Sequence, residues 1–199
     1  MNREQFINDF WAFYLILESK FLDTSQYVEL DADNFSTFSK EYIFLLESIG
    51  AELDNVFKLY CGFGFDEYKN ISDYANVILD EESELSYCSI VDEIIRVFNT
   101  QIHLKPFEGW LKDKPKQSLT WWEAYDNIKH GRHINKKEAN LENVANALSA
   151  LYLLEMKYLQ SIIEEGESGF PDQNSNLFLV KGWTIHTNGN LRVGFNINT

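Results

Sequence analysis

A mainly α fold is predicted, an antiparallel helical bundle with a small β-hairpin annexe at the C-terminus. Two observations carry this expectation. Long stretches repeat apolar residues every three or four positions, as one face of a helix requires. The last residues change to strict alternation around Asn188-Gly189, a dipeptide suited to the positive-φ positions of a type I′ turn.

Residues 3 to 22 open the chain with a helical stripe of Phe6, Phe10, Phe13, Leu17 and Phe21. A short extended piece is expected from Tyr27 to Leu30. Asp33, Asn34 and Ser36 then offer N-cap oxygens for a second helix. Its stripe runs Phe38, Tyr42, Leu45, Ile49, Leu53, Val56 and Tyr60, and it stops at Gly62–Phe63–Gly64. A short third helix starts at Ser72.

Between residues 85 and 107 the reading stays open between hairpin and helix. Ile94 to Phe98 and Ile102 to Leu104 flank Asn99-Thr100-Gln101, and their β-branched density with Lys105-Pro106 favours extended chain. A lysine-rich loop, 112 to 118, leads to an aromatic-rich helix capped by Ser118 or Thr120, which turns at Gly131. The last long helix, residues 137 to 164, places Leu141, Val144, Leu148, Leu151, Leu154, Tyr158 and Ile162 inward. Alanines 139, 145, 147 and 150 permit close helix–helix approach. The final hairpin alternates Trp183, Ile185 and Thr187, then Leu191, Val193 and Phe195. The expected organisation is a helical unit over 1–165, with the extended insertion at 85–107, and a C-terminal hairpin over 166–199 packed on it.

The composition narrows the function classes. At 199 residues the chain suits one sizeable core, and 45% hydrophobic content argues against disorder. A net charge of −14 disfavours broad electrostatic binding to nucleic acid or anionic membranes. The charge is uneven, however: residues 105 to 137 hold eight Lys/Arg against four acids, a local +4 in a remainder of −18. Three of the four histidines, His103, His130 and His133, lie in or beside that window. The apolar run from Phe10 to Leu17 is too short to cross a bilayer. Two cysteines, Cys61 and Cys88, are too few for a disulfide framework, and a cytoplasmic protein is expected.

The chemistry is concentrated around Gly131. Asn127, Lys129, His130, Arg132 and His133 crowd together, and Asn127 falls one helical turn before His130. Cations beside an imidazole favour its neutral form, which can accept a proton. His130, Asn127 and Arg132 are therefore candidate catalytic residues, and Lys129, His133 and Lys136 candidate anion- or RNA-binding residues. The competing reading is structural: a helix-end His caps carbonyls, and Asn127 bonds across the helices. His130 and His133 with Glu52 or Asp54 could also supply metal ligands, but no carboxylate–x–x–His pair of the di-metal bundle type is present. No P-loop, dinucleotide fingerprint or nucleophile elbow occurs, so no cofactor is expected.

The segment YDNIKHGR, a tight turn, and a long helix beginning EANLENVANALSALY resemble the C-terminal half of a HEPN-type domain. That all-α family is found in prokaryotic defence and toxin–antitoxin systems. Its catalytic members cleave RNA without metal, using an Arg and a His a short distance downstream. The family His matches His130, whereas the Arg position is occupied by Tyr125, followed by Asp126. Arg96 and His103 meet the spacing formally, in a segment read as extended. The resemblance implies an interaction or ligand-binding module, with a metal-independent endoribonuclease centred on His130 as the alternative. It also implies RNA, a nucleotide, a partner protein or a second copy of the chain as partner, with a role in phage defence or stress.

Overall fold

The computed structural model describes residues 1–80, 82 and 90–183. The fold is mainly α with a small antiparallel sheet, as expected. The Asn188-Gly189 hairpin lies outside the described residues, apart from Trp183. The helices are α1 (Arg3–Phe6), α2 (Ala12–Thr24), α3 (Lys40–Tyr60), α4 (Ile71–Ile78), α5 (Thr120–Asn135) and α6 (Leu141–Ile162). The strands are β1 (Ile95–Val97), β2 (His103–Leu104) and β3 (Phe178–Val180), in the order β2-β1-β3. Among the described residues, no helix is long and apolar enough to cross a membrane.

α1 and α2 are joined through a π-helical turn, Ile7–Trp11. Such a turn inserts an extra residue and advances the register of everything after it. The buried face therefore runs Phe6, Phe10, Trp11, Tyr14, Leu17, Glu18 and Phe21, while Phe13 is 40% exposed. This corrects the simple four-three-four stripe. Trp11 and Tyr14 stack at 4.7 Å, and the Trp11 indole donates to the Gln173 carbonyl at 2.8 Å.

Tyr27 to Leu30 forms turns rather than an extended piece, with the Tyr27 amide bonded to the Thr24 carbonyl at 3.0 Å. Asp31 caps a short 3₁₀ turn, Ala32–Asn34. The cap of α3 is Ser39, whose hydroxyl accepts from the Tyr42 amide at 3.0 Å, not Asp33, Asn34 or Ser36. α4 starts at Ile71 under a reciprocal Asn70–Asp73 capping box, slightly earlier than Ser72 implied.

α6 begins four residues later than its periodicity suggested. Lys136–Glu138 is a 3₁₀ turn, and Asn140 caps α6 by accepting from the Asn143 amide at 2.9 Å. The cause is tertiary: the Leu141 amide donates to the Thr37 carbonyl and Glu142 to Phe35, stitching this corner to the lead-in of α3. Once started, α6 is the spine of the fold, with its largest helix contact against α3. Val144, Leu148, Leu151 and Leu154 are fully buried, and all four alanines are buried too.

The 85–107 ambiguity resolves in its described part as a hairpin. Ile95 pairs with Leu104 and Arg96 with His103, across a turn in which Asn99 has φ of 59°. β3 was not anticipated; it pairs antiparallel with β1, making β1 the central strand. Three apolar residues with no alternation are too short a signal to separate a strand from a loop. Arg96 and His103 thus face each other across the strands, both exposed.

Candidate functional site

The main cleft, about 880 Å³, opens between the C-terminal half of α3, the loop before α4, the loop before α5, and one side of α5. α5 starts under Leu119 without a side-chain cap. Ser118 instead closes the preceding loop, accepting from the Leu111 amide at 2.9 Å and donating to the Lys114 carbonyl at 2.7 Å. Trp121 and Trp122 are core residues. Trp121 donates to the Pro106 carbonyl at 2.6 Å, and Trp122 meets Phe57 edge-on at 5.6 Å. Burying the aromatic side of α5 turns Trp122, Tyr125, Asp126, Lys129 and His130 toward the cleft wall.

Tyr125 lies directly on the α3 backbone. A Cβ on Gly50 would sit 2.3–2.5 Å from the Tyr125 ring, so only glycine permits this approach. Tyr125 in turn supports Lys129, whose ammonium donates to the phenol oxygen at 3.4 Å and stands 5.4 Å from the ring centroid. Gly50→Ala is expected to cost about 1–3 kcal/mol through overpacking and to displace Tyr125. Denaturant titration should show the loss, and an unchanged midpoint would mean that the α3–α5 approach is looser than described.

Most cleft charges are paired. Asp54 accepts from the Tyr74 hydroxyl at 2.7 Å and lies 3.4 Å from Lys58. Burial first, and then the Asp54 carboxylate, push the Tyr74 phenol up. Lys69 pairs with Glu67 at 3.1 Å, and Lys116 with Asp126. Backbone donation from Gly64 and then the Lys69 ammonium hold the Glu67 carboxyl below its usual range. Lys129 is the cleft-lining lysine without a carboxylate partner among the described residues.

The six residues singled out by sequence do not converge. His130 lines the cleft, its side chain 69% exposed, with Nε2 at 3.5 Å from Asp126 Oδ1. Its charged neighbour there is a carboxylate one turn back, not the cations expected from Lys129 and Arg132. Asn127 faces the α5–α6 corner: its amide donates to Glu138 at 2.9 Å, and its carbonyl accepts from Asn135 at 3.0 Å. Arg132, His133 and Lys136 follow the break at Gly131 (φ −155°, ψ 43°), are exposed, and do not line the cleft. A Cβ on Gly131 would stand 3.1 Å from the Asn135 amide, so glycine lets that side chain fold back. The basic window is likewise broken up, since Lys105, Lys112 and Lys116 pair with Glu108, Asp80 and Asp126.

Sequence reasoning missed Lys58, Lys116 and the stretch from Phe65 to Ser72, which is the loop before α4 and the start of that helix. Only Asp126, four residues before His130, left a local signal. Of the suggested metal ligands, Asp54 and His130 line the cleft, whereas Glu52 and His133 do not. Among the described residues, no group of three or more His, Cys, Asp or Glu is placed to hold a metal ion.

Comparison with protein-family models, with curated proteins and with solved structures finds no match to the chain.

Proposed function

We propose that the chain is a non-catalytic ligand-binding module, a divergent relative of the HEPN bundles, whose cleft takes a compact anionic ligand carrying a planar ring. The observation that carries this reading is Lys129, held on Tyr125 at the cleft wall with no carboxylate partner among the described residues. A volume of about 880 Å³ falls within the range of small-molecule pockets. Trp122, Tyr125, Phe65 and Tyr68 supply aromatic surface for a ring. Asp54, Asp66, Glu67 and Asp126 around the same cleft, with a chain charge of −14, repel a long polyanion but tolerate a single phosphate. A mononucleotide fits that description better than an RNA strand. Asn127 and Arg132 do not line the cleft with His130, which favours the binding reading over the endoribonuclease.

Calorimetric titration with adenosine monophosphate tests the reading. Wild-type protein is expected to bind, and Lys129→Glu to lose at least about tenfold in affinity, about 1.4 kcal/mol, with an unchanged melting temperature because Lys129 is exposed. Absence of binding to the wild type, or equal binding by the variant, overturns it. Cleavage of single-stranded RNA in EDTA that disappears in His130→Ala would install the endoribonuclease in its place.

A further inference from the structure

Glu155 stands in the middle of α6, 0% exposed, and neither carboxyl oxygen has a hydrogen-bond partner among the described residues. On α3, the helix that α6 contacts most, stands a second acid, Glu52, itself only 9% exposed and contacted by the Asn55 amide at 3.3 Å. α6 also packs against α1, α2, α5, β2 and β3. Among the described residues, however, Glu52 is the one charged group that acts on Glu155, and no Lys, Arg or His compensates it. Its neighbours one turn away on α6, Leu151, Tyr152, Tyr158 and Leu159, supply no cation. An ionised carboxylate with neither hydrogen bonds nor a counter-charge is prohibitively costly in a core. The neutral acid leaves a smaller debt, that of an ordinary unsatisfied polar group.

We propose that Glu155 is a proton-binding site built into the α3–α6 joint, occupied when the two helices are packed and emptied only as they separate. A proton lost from Glu155 would leave a carboxylate facing Glu52 across the largest helix contact of the fold, so deprotonation and opening of the joint are one event. Burial first, and then Glu52, drive the Glu155 carboxyl well above the usual carboxylate range. Burial also raises Glu52, against the opposing effect of Asn55. The direction of the pH dependence follows from linkage. The folded chain binds a proton at Glu155 that the unfolded chain releases above about pH 4.3. The contribution is therefore complete below that pH and is lost as pH rises toward the folded-state value. The joint should weaken as pH rises above about 4.3 and not as it falls. Because α3 also carries Gly50 and Asp54, its displacement would reach the cleft wall.

Infrared spectroscopy of the purified chain tests the assignment directly. A protonated-carboxyl C=O band is expected at about pH 7, where exposed carboxyls are ionised, and it should vanish in Glu155→Gln. Glu52→Gln removes the like charge, so the band should then disappear at lower pH than in the wild type. The wild-type melting temperature should fall as pH rises above about 5, and the Glu155→Gln profile should be flatter over that range. Absence of the band in the wild type at about pH 7, or its persistence in Glu155→Gln, overturns the proposal. If Glu155→Gln does not fold, the wild-type band and its shift in Glu52→Gln decide the question alone, and a band unmoved in Glu52→Gln overturns it.

Discussion

Glu18→Ala is expected to destabilise the fold by roughly 3–5 kcal/mol, since each buried polar group left without a partner costs about 1–3 kcal/mol. Glu18 is a buried carboxyl on α2 that gathers three donors. The Tyr14 hydroxyl reaches it at 2.6 Å, the Asn176 amide at 2.8 Å, and the Ser175 hydroxyl contacts the same oxygen as Tyr14. Ser175 then accepts from the Leu177 and Phe178 amides at 3.1 and 2.8 Å, so the cluster leads straight into β3. Arg3 reinforces the same junction by donating to the Ser168 and Phe170 carbonyls at 3.2 and 3.0 Å. Removing the acceptor strands Tyr14 and the approach to β3 together, and β3 holds β1 in place. Equilibrium urea unfolding measures the effect, and a loss below about 1 kcal/mol would mean that water replaces the carboxyl without difficulty. Ser175→Ala removes one donor and should cost less than Glu18→Ala.

The second large effect belongs to α6. Leu148→Ala should cost ~2–5 kcal/mol, the range for truncating a buried leucine when the surroundings collapse only partly. Leu148 is fully buried, with Ala145, Ala147 and Leu151 around it also inaccessible. Packing this tight on an axial helix leaves little freedom to fill the void. Leu151→Ala belongs to the same range, and the two losses should not add, because the sites share neighbours along one face. Thermal and urea unfolding of the single and double variants check both statements. A loss under about 1 kcal/mol for Leu148→Ala would place it outside the close-packed interior.

Residues 95 to 104 stayed open between hairpin and helix, whereas the mainly α character, the existence of α2, α3 and α6 and the burial of Leu148 and Leu151 were legible in the residues alone. Each depends on a period that a helix or strand imposes on its own chain, and the apolar atoms must then be covered. Cap positions were less legible because several Ser, Asn and Asp residues competed for each. Backbone bonds between residues 35–37 and 141–142 decided in favour of Asn140 at α6, and Ser39 took α3. The π turn at Ile7–Trp11 left no mark in the spacing, yet it moved Tyr14 inward and Phe13 outward.

The candidate site divides along the same line. From the sequence alone, polar and imidazole groups could be placed near Gly131, because one helical turn brings residues 126 to 130 onto adjacent faces. Which of them share a cleft was decided by α3 and by loops distant in sequence. Glu138 and Asn135 turned Asn127 toward the corner, and the break at Gly131 carried Arg132 and His133 away from His130. Gly50 let Tyr125 rest on α3, which placed Lys129 at the cleft wall. The pairing of Glu52 with Glu155 is also purely tertiary. Local periodicity is a property of one segment and can be read from it, whereas the charge facing a side chain depends on which other segment packs there.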